Sequence, residues 1–74
     1  MEKYYQNLII DILLNKENGL TYFQLYRSID MKSIYSLDDN GKYRHESLKY
    51  LLYNKLIMIE IVDNFEYYKI VHKI

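Results

Sequence analysis

Side chains suited to catalysis or metal binding are few in this sequence and lie far apart. The chain has no cysteine, which removes disulfides, thiolate zinc sites and cysteine nucleophiles. His45 and His72 are widely separated, whereas a closed zinc site needs about four ligands. Ser47 follows His45 by two residues, and on a helix that spacing points the two side chains to different faces. The sequence therefore predicts no enzyme, no metal site and no cofactor.

One acidic segment, residues 38–41, resembles part of a calcium-binding loop. Its sequence is Asp-Asp-Asn-Gly, but Arg44 and His45 follow where the loop needs further oxygen ligands and a bidentate acid. We interpret the segment as a loop that precedes a helix.

Length and composition indicate one globular domain over residues 1–74. Half of the residues are hydrophobic, and a chain of about 70–80 residues holds a single, marginal core. The longest apolar runs, such as 56–59, are far shorter than the about 20 residues of a membrane span. No cationic leader with a following apolar stretch opens the chain, so we expect a cytoplasmic protein with no membrane partner.

The charges balance over the whole chain but not along it. Residues 1–41 carry four Lys or Arg against six Asp or Glu, and residues 42–74 carry six against four. Phosphate neutralisation supplies much of the affinity of nucleic-acid binders. The mild basic excess of the second half permits nucleic acid there without requiring it.

The first half predicts two amphipathic helices. Apolar residues recur with helical spacing from Tyr5 to Leu13, which predicts a helix over 2–16 that ends at Asn18-Gly19. Thr21 and Gln24 have the pattern of a capping box, and a helix over 21–29 is expected behind it. Residues 36–41 are a dense run of turn formers, which predicts a loop there and a long connection over 30–41. Within that connection Met31, Ile34 and Tyr35 could form a single helical turn on the core.

The second half predicts a third helix and a hairpin. Helical spacing returns over 42–54, with His45, Leu48 and Leu51 on the core face. From Ile57 the period changes to two, so strands are expected at 57–62 and 65–73. Asp63-Asn64 between them suits a two-residue hairpin turn.

Three helices followed by a two-stranded wing resemble the layout of winged helix-turn-helix DNA-binding domains. The pair Leu51-Leu52 is followed by Asn54-Lys55, where the family commonly has a glycine turn and where Asn tolerates the left-handed conformation. Residues 67–71, Tyr-Tyr-Lys-Ile-Val, are similar to the return strand of PadR- and MarR-like wings. The resemblance implies an α+β fold whose third helix enters the major groove of double-stranded DNA. The long 30–41 connection and an acidic wing tip, with Asp63 and Glu66, depart from the family's pattern.

The resemblance places the DNA contacts on the exposed face of the third helix and on the wing. Lys42 and Lys49 suit phosphates or guanine, and Ser47 suits either base type. The full predicted set consists of Lys42, Tyr43, Arg44, Ser47, Lys49, Tyr50 and Lys69.

A second apolar pair on the first helix predicts a homodimer. Ile10 and Leu14 are four residues apart on the side opposite the core face. A dimer through this pair would set two third helices about one DNA turn apart. Contact with the C-terminal strand of the same chain is the alternative.

Ten tyrosines favour a rival interpretation. Tyr43, Tyr50 and Tyr53 share one strip of the third helix, and tyrosine is enriched at protein interfaces. Two functions remain open. The first is a small transcriptional regulator that binds DNA as a homodimer, and the second is a protein-interaction module, for example a viral or mobile-element inhibitor of a host protein. The feature that separates them is whether the cations form one positive surface or are interrupted by the acids Glu46, Asp63 and Glu66.

Overall fold

The computed structural model describes residues 2–34 and 37–71, and their order confirms the predicted fold class. Three helices precede a two-stranded antiparallel hairpin, an α+β layout consistent with a winged helix. The elements are α1 (Glu2–Leu14), α2 (Tyr22–Lys32), α3 (Leu37–Tyr53), β1 (Ile57–Val62) and β2 (Phe65–Ile70).

Helix α1 is the centre of the fold, because it packs against α2, α3 and β2. Its apolar stripe buries Tyr5, Ile9, Ile12 and Leu13, as the periodicity predicts. The helix ends two residues earlier than expected. The core is completed by residues from every other element, namely Leu25, Ile29, Leu48, Leu51, Ile57 and Tyr68.

The segment between α1 and α2 adds one residue to the sheet, which the sequence did not predict. Leu20 and Tyr68 form an antiparallel bridge, with the Leu20 N–H donating to the Tyr68 carbonyl at 2.9 Å and the Tyr68 N–H returning a bond at 2.7 Å. Gly19 precedes the bridge with a φ of 79°. A Cβ atom at Gly19 would lie 2.5 Å from the Tyr68 oxygen, so both the backbone conformation and the close approach require glycine.

The predicted capping box is present at the start of α2. The Thr21 hydroxyl accepts from the Gln24 N–H at 3.3 Å, and the Gln24 side-chain oxygen accepts from the Thr21 N–H at 3.1 Å. These bonds satisfy main-chain donors that a helix start leaves unpaired. The helix continues to Lys32, three residues beyond the predicted end.

The predicted long loop over 30–41 is wrong. Helix α3 begins at Leu37, so only residues 33–36 connect the two helices. Asp and Asn are turn formers, but acidic residues are also favoured in the first turn of a helix by its dipole. The same composition therefore fits a helix start, and the short connection removes one departure from the winged-helix layout.

The hairpin has the predicted turn and register. Asp63 and Asn64 have φ values of 51° and 71°, the pair of left-handed residues that a type I′ turn needs. The register runs from Val62 opposite Phe65 to Ile57 opposite Ile70. The predicted extension of the second strand to His72 and Lys73 lies outside the described residues.

The turn between α3 and β1 differs from the prediction in one detail. The left-handed residue is Lys55, with a φ of 60°, and not Asn54. The Asn54 amide instead donates to the Tyr50 carbonyl at 2.8 Å. The same carbonyl also accepts from the Asn54 main-chain N–H at 3.0 Å, so the side-chain amide adds a second bond at the helix end.

Candidate interaction surface on helix α3 and the hairpin

The core face of α3 is rotated from the predicted one. At 100° per residue, the centre of the buried face lies between Leu48 and Leu51, and both side chains are buried. His45, predicted for the core, is exposed. Ser47 lies on the buried side in its place.

Ser47 was predicted to contact DNA, and that prediction is wrong. Its side chain has no exposed surface, and its hydroxyl donates to the Glu2 carbonyl oxygen at 2.9 Å. The residue joins α3 to the first turn of α1 and is inaccessible to any partner.

Arg44 lies between α3 and α2. Its guanidinium forms an ion pair with the Asp30 carboxylate and stacks over the Tyr26 ring, with 5.1 Å from the guanidinium carbon to the ring centre. Only 14% of the side chain is exposed. The charge of Arg44 is therefore paired within the fold, and most of its side-chain surface is covered by neighbouring residues.

A tyrosine cluster borders Arg44. The rings of Tyr22 and Tyr26 stack with their centres 4.4 Å apart, and Tyr68 lies 6.3 Å from Tyr22. Burial raises the pKa of the Tyr26 phenol far above its ordinary value, neighbouring Tyr22 adds to the shift, and the Arg44 charge opposes it in part. Burial, together with the Glu66 carboxylate, also raises the pKa of Tyr68. Both phenols are therefore neutral at physiological pH.

Two of the remaining predicted DNA-contacting lysines also have an acidic neighbour. The Lys49 ammonium lies 3.9 Å from the Glu46 carboxylate one helical turn away. Lys69 on β2 lies 3.4 Å from Glu60 on β1. Lys42 is exposed. Three of the predicted cations, Arg44, Lys49 and Lys69, therefore each have a carboxylate neighbour.

The hairpin tip is acidic and apolar. Asp63 and Glu66 are exposed, as predicted. Beside them Ile61 is 68% exposed and Phe65 62% exposed. The tip, residues 61–66, carries no Lys or Arg that could bind a phosphate. Its large exposed apolar side chains are instead suited to contact with a protein surface.

The predicted tyrosine strip of α3 is reduced to two members. Tyr43 is partly buried and packs against the core. Tyr50 is half exposed and Tyr53 is 87% exposed. These two tyrosines line a groove of about 500 Å³ together with Glu2, Glu46, Lys49 and Leu52.

The two residues of the predicted dimer pair on α1 differ in exposure. Leu14 is exposed, whereas Ile10 is partly buried and packs against the chain's own core. The expectation that Ile10 faces away from the core is therefore wrong. Packing of α1 on β2 agrees with the alternative, contact within the same chain.

Neither a metal-binding cluster nor a membrane-spanning helix occurs within residues 2–34 and 37–71. No group of three or more histidine and acidic side chains in these ranges is arranged to hold a metal ion. No helix in the same ranges has the length and apolar composition needed to cross a bilayer.

Comparison of the chain with protein-family models, with curated proteins and with solved structures gives no match.

Proposed function

We propose that this chain is a winged-helix protein-interaction module that binds a protein partner in the groove between the start of α1 and the end of α3. The exposure of Tyr50 and Tyr53 along this groove is the main support for this proposal. A tyrosine gives a large contact area at low cost in rotamer entropy and adds a hydroxyl for hydrogen bonding.

The charge pattern supports a protein partner over a nucleic acid. Nucleic-acid affinity comes largely from cations that neutralise phosphates. Here Arg44 is paired with Asp30, and the carboxylate of Glu46 lies near Lys49. The net charge of the whole chain is zero, so neither the local nor the overall field attracts a polyanion strongly.

The groove also indicates the chemistry of the partner. Leu52 and the two tyrosine rings supply apolar surface, while Glu2 and Glu46 against Lys49 leave one excess negative charge along the lining. Complementarity therefore calls for a segment with an apolar side chain for the groove and a basic residue beside it.

The test is capture of proteins from nuclease-treated lysate of the source cells on immobilised protein. We expect Tyr53→Ala to lose a captured protein that the parent chain retains, because truncating a central aromatic contact commonly costs more than about 1 kcal/mol of binding free energy. Phe23→Ala is the matched control, since Phe23 is an exposed aromatic residue on α2, away from the groove lining. Equal capture by Tyr53→Ala and the parent chain would contradict the proposal.

A sequence-specific DNA-binding regulator, acting as a homodimer, is the second candidate. It is favoured by the winged-helix layout and by Lys42 and Lys49, which are both exposed and lie seven residues, or about two turns, apart on α3. On this proposal α3 enters the major groove and these lysines contact phosphates or base edges.

Binding to random-sequence duplex DNA at two salt concentrations separates the two candidates. A DNA-binding function predicts affinity that falls steeply with salt, and Lys49→Ala should lower the slope by about one. No binding at low salt would exclude the DNA-binding function and leave the protein-interaction proposal.

A further inference from the structure

Strand β1 is a free sheet edge made almost entirely of apolar residues. Among residues 2–34 and 37–71, β1 pairs with β2 on one side only, and Leu20 occupies the other side of β2. The sequence of β1 is Ile-Met-Ile-Glu-Ile-Val, with five of its six residues exposed. Soluble proteins protect such edges with charged residues, proline or a bulge, and along its continuous register β1 has Glu60 alone.

The register fixes which main-chain groups face outward. In a hairpin with a two-residue turn, the residues that flank the turn form a hydrogen-bonded pair, here Val62 and Phe65. Pairs alternate along the ladder, so Val62, Glu60 and Met58 direct their N–H and C=O groups toward β2. The Leu56 carbonyl continues the series, since it accepts from the Val71 N–H at 3.1 Å.

The other three residues of β1 therefore present their N–H and C=O groups at the free edge. They are Ile57, Ile59 and Ile61. A further antiparallel strand that hydrogen-bonds to this edge has to pair with all three isoleucines.

We propose that this edge is the homodimer interface, in which β1 of two copies of the chain pair antiparallel about a two-fold axis at Ile59. The axis sets Ile59 opposite its own copy and Ile57 opposite Ile61 of the second chain. Each of these pairs exchanges two main-chain hydrogen bonds. The result is one continuous four-stranded sheet, and the interface is independent of the groove assigned above to a protein partner.

The single charge of β1 favours this register for pairing with a second copy of the chain, because it keeps the two carboxylates apart. Glu60 is the only charged residue of β1, and the axis at Ile59 places it opposite Met58 of the other copy. An axis at Glu60 would instead set two carboxylates directly opposite each other, which is destabilising. Pairing about Ile59 also brings β-branched side chains together on one face, a favourable cross-strand arrangement.

The chain has no cysteine, so a disulfide formed by a single-cysteine variant can join only the introduced cysteines of two copies. Paired residues in an antiparallel ladder have Cα atoms about 4.5–5.5 Å apart, within reach of a disulfide. We expect Ile59→Cys to form a covalent dimer under mild oxidation. Ile61→Cys is the control, because two copies of residue 61 would be about 13 Å apart at about 3.3 Å per residue.

The control is stringent because Ile61 is the more exposed of the two, at 68% against 38% for Ile59. Random collision would cross-link position 61 first, so equal or greater cross-linking at position 61 would overturn the proposed register.

A mixture of Met58→Cys and Glu60→Cys provides a second test and should give the mixed dimer. Sedimentation of the unmodified chain tests the interface without any substitution, and a monomer at every concentration up to the millimolar range would overturn the proposal.

Discussion

The Ser47 hydroxyl and the Glu2 carbonyl oxygen are joined by a 2.9 Å hydrogen bond across 45 residues of sequence. The bond fixes the middle of α3 against the first turn of α1. A serine in this position contributes to stability and not to partner recognition.

Ser47→Ala should therefore lower the free energy of unfolding by about 1 kcal/mol, the usual net value of one hydrogen bond. Urea denaturation measures this change. Binding of DNA or of a captured protein by the folded variant should equal that of the parent chain. A variant of unchanged stability with altered binding would refute the assignment.

The ion pair between Arg44 and Asp30 should stabilise the contact between α2 and α3. We expect a double-mutant cycle with Arg44→Gln and Asp30→Asn to give a coupling free energy of about 1 kcal/mol, at the upper end for a partly exposed pair. Arg44→Gln should cost more than Asp30→Asn, because it also removes the stacking on Tyr26. Additive effects of the two substitutions would show that the pair contributes nothing.

The two glycines of the chain should respond oppositely to alanine. Gly19→Ala should destabilise the fold by roughly 2 kcal/mol or more, since φ is positive there and the new Cβ would meet the Tyr68 oxygen. Gly41 lies inside α3, and the nearest atom to its added Cβ is on the flexible Arg44 side chain at 3.6 Å. Gly41→Ala should therefore stabilise by about 0.5–1 kcal/mol.

Thermal denaturation of the two variants measures both effects. The Gly41 result also tests where α3 begins. If residues 36–41 formed a loop, alanine at position 41 would not gain the helical advantage over glycine.

Alkaline pH should destabilise the fold through Tyr26 and Tyr68. The folded state raises the pKa of both phenols, so it binds these protons more tightly than the unfolded chain does. Their contribution is complete below pH about 10, the ordinary tyrosine pKa, and is lost as pH rises toward the folded-state values.

Unfolding free energies measured between pH 8 and pH 11 should fall more steeply for the parent chain than for Tyr26→Phe. Absorbance of tyrosinate provides a direct readout, because part of the tyrosine signal should appear only on unfolding. Tyr53→Phe is the matched control, since Tyr53 is exposed. An identical pH dependence for the parent chain and Tyr26→Phe would contradict the assignment.

The sequence predicted local structure well wherever a short pattern carries its own physical reason. The capping box at Thr21 and Gln24 needs only neighbouring residues, and the turn at Asp63-Asn64 needs only residues that tolerate positive φ. The loop predicted over 36–41 is wrong from Leu37 onward, because Asp, Asn and Gly favour turns and Asp also favours helix starts. Whether a turn or a helix start forms depends on which apolar side chains the following helix can bury against the rest of the fold.

The candidate site was harder to predict than the fold. The predicted outward face of α3 assumes a buried face centred on Leu48, and a small rotation toward Leu51 moves Ser47 from the surface to the interior. The positions of the two leucines already contained that signal. Nothing local indicates that Asp30 pairs with Arg44, because the partners lie on different helices.

The order of elements, the apolar face of α1 and the turn of the hairpin follow from local patterns, since periodicity and turn chemistry act over a few residues. Tertiary contacts, in contrast, select which polar residues are paired inside the fold and which remain available to a partner. Tertiary contacts bury Ser47, pair Arg44 with Asp30, leave Tyr53 exposed, and let Leu20 cover one edge of β2 while β1 stays open. Except for the burial of Ser47, which the positions of Leu48 and Leu51 indicate, these outcomes depend on contacts between residues far apart in the chain, which no local pattern encodes.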